Sequence, residues 1–169
     1  MSTNSRATDL FRSIPTGTVG IVAICCFLYL VQLLVDFPLH KVTLCPRLVL
    51  YLHEYYRIIT SALFHGSIMH IAMNMMSTVG LSSMLEKRSG TLYHLLATGV
   101  AMFATSIVYI SMANAASWTG HDSLMYQHSI GFSGVLFHMV VLESNLGGHT
   151  SRSVFGFFAV PAFVYPWVL

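Results

Sequence analysis

The chain has 169 residues, of which only 8 are Lys or Arg and 6 are Asp or Glu. Charge therefore covers 8% of the sequence, against roughly 25% in an ordinary soluble domain. An apolar content of 55% and a mean hydropathy of +0.70 exclude both a dispersed soluble domain and a disordered chain. A net charge of +2, with no basic cluster longer than Lys87-Arg88, argues against a nucleic-acid partner. An integral membrane protein remains.

Residues 1–17 read as a polar N-terminal tail, and 18–169 as one transmembrane domain. Long stretches without Asp, Glu, Lys or Arg divide that domain. A membrane-crossing helix needs about 20 mostly apolar residues. The stretches predict five spans, at about 18–36, 67–85, 91–112, 131–146 and 153–169, and an all-α polytopic helix bundle. Span one lacks a clear small-residue cleavage site and reads as a retained helix, not a secretory signal. Its adjacent Cys25 and Cys26 read as small packing residues. Segment 36–66 carries Phe37, Pro38, Leu44, Tyr51, Tyr55 and Tyr56. It is expected to lie in the membrane interface, where aromatic rings anchor. With the N-terminus on the cytoplasmic or matrix side, that side holds Arg6, Arg12, Lys87, Arg88 and Arg152, and the other holds Lys41, Arg47 and Arg57.

Spans two and four are the least apolar. Polar groups at membrane depth are expensive, so they normally face a bundle interior or a water-filled cavity. In span two, His70 and Asn74 are four residues apart and share a helix face. Two donors on one face suit an oxyanion hole; the plainer reading is interhelical hydrogen bonding. His65 stands at the mouth of the same span. Glu86-Lys87-Arg88-Ser89-Gly90 reads as a charged helix end closed by glycine. Span four opens with Gly131-Phe132-Ser133-Gly134. Small residues around a serine at a helix start allow close approach, and free N–H groups there favour a developing negative charge. That tetrapeptide alone also fits a helix-packing patch.

Taken together and in order, these motifs resemble the rhomboid family of intramembrane serine proteases, of the eukaryotic rhomboid-domain type. The matching pieces are Tyr56-Arg57 (where the family usually has Trp-Arg), His65, His70-Ile-Ala-Met-Asn74, Glu86 to Gly90, and Gly131-Phe132-Ser133-Gly134. The resemblance implies that Ser133 is the nucleophile, within a motif framed by Gly131 and Gly134. His70, Asn74 and the Ser133 backbone N–H would stabilise the oxyanion. Arg57, His65, Glu86 and Gly90 would be structural, with Arg57 and Glu86 in ion-pairing positions. The substrate would be a transmembrane helix, cut near the membrane face.

A serine hydroxyl needs a base within hydrogen-bond reach. In rhomboids that base is a histidine on a sixth core helix. The chain as written ends at Leu169, so five of six core helices are expected, truncated before the sixth, and little or no protease activity. Of the nine histidines, His128 is the only substitute worth weighing. The alternative role is a non-catalytic rhomboid-like protein that binds transmembrane helices in quality control or trafficking. No cofactor and no metal are expected. The expected partners are transmembrane helices and the lipid bilayer. Endoplasmic reticulum or another endomembrane is the expected location, with the mitochondrial inner membrane also open.

Overall fold

The computed structural model describes residues 14–146, 151–154, 158–161 and 164. Among these residues six α-helices run in order: α1 (Thr16–Leu34), α2 (Pro46–Tyr51), α3 (Arg57–Leu63), α4 (Ile68–Ser89), α5 (Thr91–Ser117) and α6 (Ser133–Leu146). Short 3₁₀ turns at Leu39–Lys41 and Asp122–Tyr126 lie in the connections. Local chemistry sets several ends. Pro15 precedes α1, and Pro46 opens α2 where its missing N–H costs nothing. Ser67 caps α4 by accepting the His70 N–H at 3.1 Å. Gly90, at φ +83, separates α4 from α5.

Helices α1, α4 and α5 are long and apolar enough to cross a membrane. Their polarity is arranged for lipid. Phe27, Leu30, Leu33, Met69, Met76, Leu92, Leu96 and Val100 point outward, while Thr18, Asn74, Thr78, Ser82, Glu86, His94 and Thr98 are buried. Several buried hydroxyls bond back along their own helices: Thr78 to the Asn74 carbonyl at 2.8 Å and Thr98 to the His94 carbonyl at 2.9 Å. Helix α4 packs against α1 on one side and α6 on the other, and α5 also meets α6. The apolar core joins Ile21, Cys25, Tyr29, Ile71, Met75, Phe132, Val135 and Met139. Helix α6 has 14 residues. At 1.5 Å per residue it extends about 21 Å, short of the roughly 30 Å hydrocarbon core. Its burial comes from protein on both sides.

Segment 36–66 is compact. Arg57, in α3, is buried and pairs with Glu54 through Nη2 and Oε2 at 2.6 Å. Its Nη1 donates to the carbonyls of His40 at 2.7 Å and Thr43 at 2.8 Å. The guanidinium thus closes residues 40–57 into one unit.

Two expectations are corrected. Glu86 forms no ion pair among the described residues. Its buried carboxylate accepts from the N–H groups of Gly17 (2.8 Å) and Thr18 (2.7 Å) and the hydroxyls of Thr18 (2.8 Å) and Thr91 (2.7 Å). The first turn of α1 has free N–H groups, and that end of a helix favours an anion. The second correction concerns the span expected at 153–169. The described part of that region forms an antiparallel hairpin, Ser151–Val154 against Phe158–Pro161. A short apolar run does not distinguish strand from helix by hydropathy, and Val, Phe and Pro there disfavour a continuous helix. The rest of the expected span lies outside the described residues.

Removing the Glu86 carboxylate leaves the start of α1 and two hydroxyls without their acceptor. Glu86→Leu is expected to lower unfolding stability in bicelles by about 3 kcal/mol. Gly17→Ala is expected to act in the same direction, because its Cβ would stand 2.9 Å from Glu86 Oε1. Steric-trap unfolding measures both.

Candidate active site

The serine turn is held from three sides. First, residues 43–45 and 128–130 run antiparallel, with Leu44 N–H donating to the Ser129 carbonyl at 2.8 Å and Ser129 N–H returning to Leu44 at 2.9 Å. Thr43 Oγ1 and His128 Nδ1 meet at 2.6 Å beside that bridge. Second, the Gly131 N–H donates to the Ser61 carbonyl of α3 at 2.7 Å. Third, the Phe132 N–H points to His65 Nε2, a long contact of 3.4 Å. Phe132 is fully buried and locks the turn into the core.

Gly131 is required here by two independent facts. Its φ is +108, a region that side chains disfavour. A Cβ at this position would stand 2.5 Å from both Cε1 and Nε2 of His70. The His70 ring therefore lies directly on the backbone two residues before Ser133. His65 and His70 meet edge to face, with ring centroids 5.2 Å apart. Asn74 is buried one turn along α4, and its Nδ2 donates to the His70 carbonyl at 2.8 Å. Its second amide hydrogen and its carbonyl are not used in that bond. Ser133 is exposed at the first position of α6, where backbone N–H groups have no intrahelical acceptor. Gly134 follows it, also exposed, against the Thr105 side chain of α5.

Beside Ser133 lies a cavity of about 240 Å³ lined by Ser61, Thr105, Ser106, Tyr109, Ser129, Gly131, Ser133 and Gly134, with Leu44, Ala62, Ile130 and Val135. Its hydroxyls can hold water or a small polar group next to the serine. A second cavity of about 240 Å³ sits at the far end of the bundle, lined by Arg88, Ser89, Tyr93, His94, His138 and Leu146 among others. His94 and His138 thus line a different cavity from Ser133, and His94 Nε2 is bonded to Ser82 Oγ at 2.6 Å. His128 is engaged with Thr43, His121 with Thr119 and His53 with Tyr55. His149 lies outside the described residues. Glu86 and Gly90 stand at the far end with Arg88, and Arg57 supports the loop that reaches Ser129.

The structure also brings in residues that the sequence did not single out. Gln32 of α1 donates through Nε2 to the His65 carbonyl at 2.9 Å. Ser61 supplies the carbonyl for Gly131. Gln32 was visible as an amide inside an apolar span, which is a signal in itself. Ser61 acts through its backbone and carries no such signal.

A profile of the rhomboid domain matches residues 52–169, a range that contains the whole serine turn and α4. The chain belongs to the rhomboid family. It is 37% identical over 169 residues to Rhomboid-like protein 15 of Arabidopsis thaliana, covering 98% of this chain and 42% of that protein. It is 29% identical over 94 residues to Rhomboid-related protein 4 of Rattus norvegicus, covering 55% of this chain and 30% of the rat protein. Rhomboid-related protein 4 of Mus musculus gives 28% over 93 residues, covering 54% and 30%. The chain thus spans well under half the length of these rhomboid relatives.

Two outcomes follow from the geometry. Gly131→Ala forces both the φ and the His70 contact, and is expected to cost about 2 kcal/mol or more in the same unfolding assay. The second concerns pH. His65 sits in the turn ahead of α4, and burial, followed by the neighbouring His70, lowers its pKa from 6.5 to about 4. The Leu63 backbone pulls the value back up without making a full hydrogen bond to Nδ1. The unfolded chain therefore binds the His65 proton at a higher pH than the folded one. Stability is complete above pH 6.5 and is lost as pH falls toward about 4. His65→Phe is expected to flatten that part of the stability–pH curve.

Proposed function

We propose that this rhomboid protein is an intramembrane serine endopeptidase that cleaves transmembrane helices near one membrane face. The observation that carries the reading is the His70 ring lying against Gly131, directly before an exposed Ser133 at a helix start. In this reading Ser133 Oγ attacks the peptide carbonyl. The oxyanion that forms is stabilised by the Ser133 N–H, His70 and the second amide hydrogen of Asn74. The hydroxyl-lined cavity takes the side chain at the cut or supplies the hydrolytic water. Among the described residues no imidazole is bonded to Ser133, so the general base is assigned to a residue outside them, as in the family. The reading therefore concerns the whole protein. The partners are membrane-embedded helices that unwind near a small or helix-breaking residue, in the endoplasmic reticulum or another endomembrane.

A second reading is a non-catalytic helix-binding role. The absence of a bonded base among the described residues favours it. One experiment separates the two. The full-length protein is reconstituted with a transmembrane reporter, and cleavage is followed alongside co-purification. The proposal expects cleavage that Ser133→Ala lowers by at least about 10³-fold while helix binding persists. Helix binding without cleavage, unaffected by Ser133→Ala, would establish the second role.

A further inference from the structure

Helix α1 is tied to the rest of the bundle by polar bonds at both ends. One tie is the Glu86 carboxylate. The other is Gln32, whose Nε2 donates to the main-chain carbonyl of His65 at 2.9 Å. His65 is fully buried, and its Nε2 is placed to accept the Phe132 N–H at 3.4 Å. Phe132 in turn precedes Ser133, and its carbonyl accepts the Leu136 N–H at 3.0 Å, starting α6. A short chain of bonds therefore leads from a lipid-facing helix to the serine turn, through one carbonyl and one imidazole.

Two features mark this chain as built rather than incidental. Accepting at Nε2 leaves the His65 proton on Nδ1, so Nδ1 is a donor. Nδ1 of His65 and Oε1 of Gln32 are both buried without a hydrogen-bond partner among the described residues. They are of opposite sense and belong to the two residues already joined. An unpaired buried amide oxygen is costly and is retained only where the rest of the side chain is needed. The residue before His65 is also held. Phe37, just beyond α1, stacks on Phe64 with centroids 5.5 Å apart. The end of α1 and the residues just beyond it thus hold Phe64 by its ring and His65 by its carbonyl.

We infer that Gln32 is a positioning residue for Ser133: by holding the His65 main chain it sets the ring under the Phe132 amide, and so fixes the angle at which α6 begins. The assignment rests on geometry and holds whether or not Ser133 acts as a nucleophile. It is tested without turnover, on the full-length protein in micelles with ¹⁵N-labelled histidine and backbone amides. In the wild type the two His65 ring nitrogens are expected to give separate signals, Nδ1 protonated and Nε2 accepting. Gln32→Met keeps the length and removes the donor. It is expected to speed exchange of the Phe132 amide about tenfold and to average the two ring signals. The amides of Gly17 and Thr18, which Glu86 holds at the other end of the same helix, are expected to stay protected. Gln32→Glu, of equal length and with no donor when ionised, replaces the Met variant if that one fails to fold, with the same expected result. Unchanged His65 signals and Phe132 exchange would overturn the inference. So would equal acceleration at Gly17, Thr18 and Phe132, which would make Gln32 a general packing residue.

Discussion

The arrangement depends on one carboxylate. Glu86 is fully enclosed, and enclosing a charge is expensive unless every lone pair is matched. Four donors match it, from the start of α1 and the start of α5. That requirement brings three transmembrane helices together at one membrane face. Gly17 is there because a side chain would occupy the space of the carboxylate. Ser82 extends the network by meeting both Thr18 and His94. In lipid, where apolar surface gives helices little reason to associate, such a network supplies both affinity and register.

The serine turn is built on the same logic at the other face. Its backbone departs from regular structure between Ser129 and Phe132. Irregular backbone at this depth is tolerated only where protein or water satisfies it. Here Leu44 gives one bond and takes one, and Ser61 and His65 each take one. Segment 36–66 is thus part of the site: Arg57 gathers residues 40–57, and that unit presents Leu44 to Ser129. The His70 ring then occupies the space that Gly131 leaves open, so the helix carrying His70 and Asn74 and the turn carrying Ser133 determine each other's position.

Much of this was legible in the sequence. Fourteen charges in 169 residues require a membrane, and the neutral stretches locate α1, α4 and α5 to within a few residues, α5 running five residues past its predicted end. The pairing of His70 with Asn74 on one helix face, and of glycines with Ser133, followed from spacing. Their order along the chain was enough to indicate the family, because motifs that are weak singly become specific in sequence. The ion pair of Arg57 also fits the expectation, although its partner is the nearby Glu54.

Other features were decided only by the folded chain. Among the described residues Glu86 has no cationic partner, because a helix N-terminus, an electrostatic feature of the backbone, meets it instead. Ser151–Val154 and Phe158–Pro161 pair as strands because each backbone finds its hydrogen-bond partners in the other, which hydropathy does not register. Gln32 meets the main chain of His65, 33 positions away, and the Ser61 carbonyl meets Gly131, 70 positions away; the Gln32 amide stands out in an apolar span but its partner does not, and the Ser61 bond leaves no trace in side-chain pattern. The sequence by itself determined the solvent and the chemical groups available, since both depend on composition and local spacing. Which of those groups meet was settled by tertiary packing, because buried polar atoms must be satisfied by whatever the fold brings within reach.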